Sequence, residues 1–261
     1  KLTIGEATHS PKSISADDTY GGYSFNSHDD VAYKYIQITG PLSGDAIGGR
    51  NFGNTFDSRS TASVQGNTVD FTTDDAGSGY GKGKIAGGIS NNIAVKNNEV
   101  DIRRGVIETP SSGTKLAKTK LAKVYGGYST NGDVEGNSVN VYREDTIAPT
   151  IFRDLLGGYS KHGNAIRNTV TVNLLYSDKI YGSVYGGYST SGDALHNIVD
   201  VTCSAVGDAD ESKYQNSKLI GGYSKQGNAI GNEVTAKTGR PYTTGPLFVM
   251  DNVIGGDSGS T

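Results

Sequence analysis

Four stretches of the chain are near-copies of one another. They read VYGGYSTNGDVEGNSVNV from Val124, LLGGYSKHGNAIRNTVTV from Leu155, VYGGYSTSGDALHNIVDV from Val184 and LIGGYSKQGNAIGNEVTA from Leu219. Each copy must adopt one local structure and hide the same face against its neighbours, which narrows the possible folds sharply. Gly-Gly pairs begin at Gly21, Gly48, Gly87, Gly126, Gly157, Gly186, Gly221 and Gly255, at intervals of 27 to 39 residues. Looser copies are IAGGISNNIAVKNNEVDI from Ile85 and AIGGRNFGN from Ala46, closed by VQGNTVDF. The first, YGGYSFNSHDDVAYKYIQI, puts Lys34 where the others have asparagine.

The second half of the unit has strand chemistry. In NTVTV, Asn168, Val170 and Val172 share one parity and therefore one face, while Thr169 and Thr171 take the other. NSVNV, NIVDV, NEVDI and NTVDF alternate in the same way, and their β-branched residues favour strand over helix. VYGGYS is also extended in character, with glycines where side chains would crowd a neighbour. TNGD, KHGN and KQGN between the halves are turn material. Each unit thus supplies two short strands, with a third expected in the variable spacer.

Such a unit, repeated at about thirty residues, is the signature of a solenoid whose coils stack at about 4.8 Å. Helical repeats fit poorly with a Gly-Gly pair inside each unit. A β-propeller is the competing arrangement, but four strands per blade need about forty or more residues. The expectation is an all-β chain: a right-handed parallel β-helix, or β-solenoid, with about eight Gly-Gly rungs and loop insertions. It spans residues 20–256, with an N-terminal segment or cap over 1–19 and a tail or fragment end over 257–261.

The repeated polar residues then acquire a structural role. Asn67, Asn98, Asn137, Asn168, Asn197 and Asn232 all precede x-Val, and Asn252 before Val253 is a candidate seventh. At one stacked turn their amides can donate to and accept from the next coil, forming a ladder. The tyrosines of the Gly-Gly-Tyr-Ser motif, Tyr23, Tyr128, Tyr159, Tyr188 and Tyr223, are expected to stack likewise. The repeated phrase reads as scaffold.

Composition agrees. Glycine supplies 38 of 261 residues and hydrophobic residues only 34%, enough for a thin core but not a wide one. A formal charge of -3 aims no global field at nucleic acid or membrane. No apolar run approaches the roughly twenty residues of a membrane span, and KLTIGEATHS lacks the apolar middle of a signal peptide. The single Cys203 excludes an internal disulfide and a cysteine-built metal site.

Catalytic candidates are few. Asp133 and Asp193 hold equivalent places in their repeats, with Asn164 and Asn228 in the others. Two coils apart they would be separated by about 9.6 Å, near the carboxylate spacing of glycoside hydrolases. Yet Gly-Asp and Gly-Asn are interchangeable turn pairs. Asp257-Ser258-Gly259 is reminiscent of a serine-protease nucleophile segment but aligns with LIGGYS as a further Gly-Gly strand. His9, His28, His162 and His196 show no triad spacing. Asp29-Asp30, Asp74-Asp75 and Asp208-Asp210-Glu211 read as solvated loops. No catalytic residue, metal site or cofactor is expected.

Specificity is therefore expected in the spacers Asp57 to Lys84, Arg103 to Lys123 and Val206 to Lys218. The second carries Arg103, Arg104, Lys115, Lys118, Lys120 and Lys123 against Glu108 alone, and these six cations are the candidate ligand-binding residues.

Gly-Gly followed by an apolar residue, alternating with x-x-Asn, resembles the repeat of the chlamydial polymorphic outer membrane proteins. More broadly it resembles the passenger β-helix of type V autotransporters, including fusobacterial adhesins, over about Tyr20 to Gly256. Here Tyr-Ser follows Gly-Gly in five copies, and Ala or Val replaces the Phe before x-x-Asn. The resemblance implies a passenger displayed extracellularly, on the surface of a Gram-negative bacterium, with an outer-membrane translocator barrel outside this chain. It implies a non-catalytic adhesin or stalk that binds a host-cell or bacterial surface protein or glycan through its inter-rung loops. The alternative is a polysaccharide-acting β-helix enzyme or phage tailspike fragment. A concave groove lined by several carboxylates, or a trimer, would favour that alternative.

Overall fold

The alternating valines lie inward and the residues between them outward in Glu99–Ile102, Ser138–Tyr142, Thr169–Asn173 and Ile198–Cys203. The structure, a computed structural model, describes residues 2–4, 18–39, 44–53, 60–72, 83–103, 106–107, 124–143, 149–151, 154–174, 178–207, 216–238, 248–249 and 251–259. Among these, every regular element is a β-strand and every strand pairing is parallel.

The chain opens with β1 (Leu2–Ile4), then β2 (Thr19–Ser24), β3 (Val31–Ala32) and β4 (Tyr35–Ile38). Next come β5 (Ala46–Asn51), β6 (Ser63–Gln65) and β7 (Thr68–Phe71). Five coils follow with four strands each. The first is β8 (Ile85–Ser90), β9 (Ala94–Lys96), β10 (Glu99–Ile102) and β11 (Val106–Ile107). The second is β12 (Val124–Ser129), β13 (Val134–Glu135), β14 (Ser138–Tyr142) and β15 (Thr150–Ile151). The third is β16 (Leu155–Ser160), β17 (Ala165–Ile166), β18 (Thr169–Asn173) and β19 (Lys179–Ile180). The fourth is β20 (Val184–Ser189), β21 (Ala194–Leu195), β22 (Ile198–Cys203) and β23 (Ala205–Val206). The fifth is β24 (Leu219–Ser224), β25 (Ala229–Ile230), β26 (Glu233–Thr238) and β27 (Phe248–Val249), and β28 (Val253–Ser258) ends the series.

Equivalent strands of successive coils pair directly, so the molecule is a β-solenoid with about five complete turns. The Gly-Gly strands form one sheet in the order β2-β5-β8-β12-β16-β20-β24-β28. The valine strands form a second, β1-β4-β7-β10-β14-β18-β22-β26, and the spacer strands a third, β11-β15-β19-β23-β27. A fourth sheet, β25-β21-β17-β13-β9-β6-β3, consists of the small-apolar pairs such as Ala165-Ile166. A complete coil therefore has four strands rather than the expected three. The additional break is conformational: the residue after the pair turns left-handed, with φ of 50° at Arg167, 54° at His196 and 64° at Gly136. That residue cannot continue a strand, and the chain turns a corner into the asparagine.

The expected spacer from Asp57 to Lys84 is corrected as well. It contains β6 and β7, which pair with both neighbouring coils, because VQGNTVDF is itself the second half of a unit. At the chain ends, β1 pairs with β4, and β28 runs through Ser258 in register with Ser224.

The interior is apolar but narrow. One cluster joins the inward residues of the valine sheet (Val139, Val141, Val170, Val172) to Val124, Leu155, Ile151 and Ile180 on the Gly-Gly and spacer sheets. A second, around Val64, Val95, Val134 and Ala165, fills the corner behind the short sheet. Between them the glycines bring the Gly-Gly sheet against the asparagine turn. A Cβ on Gly158 would lie 2.4 Å from Asn168 Cγ, and one on Gly187 2.3 Å from Asn197 Cγ. The preceding glycine is confined by backbone instead, since a Cβ on Gly157 would stand 2.5 Å from the Gly186 carbonyl oxygen of the next coil.

Gly158→Ala should therefore destabilise the protein by about 1–3 kcal/mol through overpacking. Gly256→Ala in the last strand, where the nearest atom is Ala229 O at 3.1 Å, should cost less. Urea denaturation of the two variants checks the order.

Candidate functional site

Each asparagine of the series is placed by the left-handed residue before it, which aims the side chain along the solenoid axis. Asn168 Nδ2 donates to Asn197 Oδ1 at 3.0 Å and to Val134 O at 3.0 Å, and the Asn168 backbone N–H donates to the same Asn197 oxygen at 3.0 Å. Asn168 Oδ1 in turn accepts from Asn137 Nδ2 and Asn137 N. The pattern repeats from Asn67 through Asn98 to Asn137, and from Asn197 to Asn232. At its head, the Lys34 backbone N–H donates to Asn67 Oδ1. Asn67, Asn98, Asn137, Asn168 and Asn197 have no exposed surface. Asn252 is not part of this column. It lies before β28, whose Val253 pairs with Leu219, so it occupies the place of Lys218 on the Gly-Gly sheet.

Two more columns run beside the first. Ser160 Oγ accepts from the Gly163 N–H at 2.8 Å and donates to Gly132 O of the previous coil at 2.9 Å, as Ser189 and Ser224 do in theirs. At the same turn Asp133 Oδ1 accepts from the Asn164 N–H at 2.7 Å, and Asn164 Oδ1 from the Asp193 N–H at 2.8 Å. Asp193 Oδ1 accepts from the Asn228 N–H at 2.7 Å. The two aspartates considered for catalysis thus hold backbone N–H groups of the next coil, and an amide oxygen serves equally between them.

Tyr128, Tyr159, Tyr188 and Tyr223 form a ring column outside the Gly-Gly sheet, with centroids 5.2, 5.1 and 4.7 Å apart. Tyr23 is separated from it by Arg50 and Ile89 in register. It packs instead with Tyr20, Phe25 and Phe52.

A further set of polar groups lies on the outer face of the valine sheet. Outward parity places Asp70 (β7), Glu99 and Asp101 (β10), Asn140 and Tyr142 (β14), and Thr171 and Asn173 (β18) side by side. A groove of about 600 Å³ lies over Glu99, Asp101, Asn140, Tyr142, Thr171 and Asn173, with Arg143 at its rim. Asn140 Nδ2 donates to Glu99 Oε1 at 2.7 Å and to Asp101 Oδ1 at 2.9 Å, so both carboxylates meet at one amide nitrogen. Arg103, first of the six candidate cations, stands at this face. Its Nε lies 3.4 Å from Asp70 Oδ1 and its Nη2 3.7 Å from Asp101 Oδ2, with its guanidinium 5.2 Å from the Tyr142 ring centroid. Arg104, Lys115, Lys118, Lys120 and Lys123 lie outside the described residues.

Burial, and then the Asp101 charge, raises the Glu99 carboxyl above its ordinary value, against the opposing pull of Asn140 and Arg103. Burial and the hydrogen bond to Asp70 push the Tyr35 hydroxyl up to about 12. No group of three or more His, Cys, Asp or Glu suited to a metal ion occurs among the described residues. Cys203 is buried in the core, and burial pushes its thiol up to about 12.

The groove was missed in the sequence because its residues belong to units with different outward residues. Aligning the units and reading only the outward positions of the valine strand would have revealed it. Comparison with protein-family models, curated proteins and solved structures gives no match.

Asn168→Ala leaves Asn137 N and Nδ2, Val134 O and Asn197 Oδ1 short of partners. At about 1–3 kcal/mol for a buried unsatisfied group, it should cost more than Asn232→Ala at the half-exposed end of the column. Chemical denaturation measures both.

A second expectation concerns Glu99. Its raised folded-state pKa means that its favourable contribution is complete below the unfolded value and declines as pH rises through the folded value. Glu99→Gln should therefore raise the melting temperature at neutral pH by on the order of 1–3 °C. The gain should vanish below the ordinary Glu value of 4.5, as melting curves across that range will show.

Proposed function

We propose that the chain is a non-catalytic adhesin or stalk segment, displayed outside a Gram-negative cell in the manner of an autotransporter passenger. The winding is proposed to be right-handed, as parallel crossover connections overwhelmingly are, with eight Gly-Gly rungs. The observation that supports this reading most is where the repeated polar groups are used. The asparagine, serine and aspartate side chains of the repeats bond to the next or preceding coil, including both carboxylates considered for chemistry. A phrase so occupied builds length and rigidity, while the spacers differ from coil to coil in length and charge.

In this reading a surface protein or glycan is bound through the inter-rung loops, and the translocator barrel lies outside this chain. The basic insert is the first candidate. Arg103 is already held by Asp70 and Asp101, so Arg104, Lys115, Lys118, Lys120 and Lys123 carry the attraction. Changing the four lysines together to Gln should abolish most adhesion of the purified chain to epithelial cells and sulfated glycans. The parent's own binding should weaken as salt shortens the Debye length below about 8 Å. Equal binding by variant and parent at low salt, with unchanged melting, would remove the insert from the proposal.

One observation favours a second reading, a polysaccharide-acting β-helix enzyme. The groove places the Glu99 carboxyl beside that of Asp101, and a pair of carboxylates facing one sugar is what glycoside hydrolysis uses. Release of reducing ends from a polysaccharide, abolished by Glu99→Gln, would establish this reading over the first.

A further inference from the structure

We propose that the groove on the outer face of the valine sheet is a binding site for a neutral oligosaccharide. Arg103, the first residue of the basic insert, borders the site, but the proposal does not depend on the insert's proposed role. Its volume of about 600 Å³ lies within the usual range of about 300–1,000 Å³ for small-ligand sites, and its lining selects among ligand classes.

A peptide strand is poorly served, because β10, β14 and β18 are each paired on both sides and offer no backbone edge. The outward positions at the groove centre are Asp101, Asn140 and Thr171, so an apolar peptide side chain seated there would desolvate polar groups. Phosphate, sulfate and uronate groups are disfavoured by Glu99 and Asp101. Among the described cations at this face, Arg103 already faces two carboxylates, and Arg143 is paired with Asp178 at 3.2 Å.

Hydroxyl groups fit what remains. A sugar hydroxyl both donates and accepts, and the groove offers acceptor-only carboxylates on one side, with the Thr171 hydroxyl and Asn173 amide on the other. The sheet spaces these groups at about 4.8 Å between strands and about 6.6 Å along them, a grid on the scale of a pyranose ring. Asn140 steadies the carboxylates by donating one nitrogen to both, so their positions are set before a ligand arrives. Beyond the groove the same column continues from Thr171 to Asp200 and Thr235. A sugar chain is therefore expected to lie along the solenoid axis.

The test is calorimetric and NMR titration of the purified chain with neutral oligosaccharides of two to six units, built on glucose, mannose, galactose or N-acetylglucosamine. At least one series should bind with a Kd near or below about 1 mM, tightening with chain length. The double variant Thr171→Val with Asn173→Ala should weaken that binding at least tenfold, while the four-lysine variant binds as the parent does. Asn173→Ala alone, at an exposed position, serves if the double variant melts early. No binding by any neutral series, or binding that groove variants leave unchanged, would overturn the proposal. Tighter groove-dependent binding of sulfated or uronate chains would overturn it too. Reducing ends released in the same titrations would uphold the site and transfer the chain to the enzyme reading.

Discussion

The asparagine amide column, seated against the glycines, is the contact on which the rest of the fold depends. Parallel strands hydrogen-bond equally well in several registers, and valine-rich strands alone would tolerate a slip of two residues without changing face. The column removes that freedom. Between the ends of the column, each amide oxygen accepts from the backbone and side chain of one neighbouring asparagine, and each amide nitrogen donates to the other neighbour and to a carbonyl of the preceding coil. A slip would strand all of these groups in a region without water. The second glycine of each pair follows from the same requirement, because any side chain at Gly127, Gly158 or Gly187 would occupy the space of the amide. The left-handed residue before the asparagine supplies the direction of aim. Three separate features of the repeated phrase thus have one cause.

How much of this was legible depends on what the pattern encodes. Parity in Asn-x-Val-x-Val determines which residues face inward, so the valine sheet and the asparagines could be read from single units. Asn252 followed x-Val logic only superficially: it precedes Val-Ile-Gly-Gly, a strand of the other sheet. Tyr23 shares the Gly-Gly-Tyr-Ser phrase with the other tyrosines, but a column needs neighbours in adjacent coils, and Arg50 and Ile89 interrupt it. The short strands such as Ala165-Ile166 were illegible for a different reason. Two residues carry no periodicity, and the boundary that isolates them is a positive φ at Arg167, a residue type that rarely announces one.

The groove exposes the limit of reading repeats by their agreement. Glu99, Asp101, Asn140, Thr171 and Asn173 occupy outward positions of the valine strands, where successive units differ and a consensus records only a blank. Physical adjacency, set by stacking, joins residues some 30 to 40 positions apart that no local pattern connects. The candidate site emerges only when units are laid one over another in register.

Aspartate makes the distinction concrete. Asp133 and Asp193 recur at equivalent places and looked like the stronger catalytic candidates, yet recurrence is what a structural role produces. Their Oδ1 atoms receive backbone N–H groups of the next coil, and asparagine replaces them in alternate coils because only an acceptor is needed. Asp101 has no such duty toward a turn. Its register neighbours are Asp70 and Asn140, and its bonds run to Asn140 and Arg103, side chains of the same open face. In a solenoid, then, the same side chain is scaffold where it bonds to the backbone of an adjacent coil. It is free for recognition where it bonds only to other surface side chains, and that contrast is the ground for proposing a site on the valine sheet's outer face.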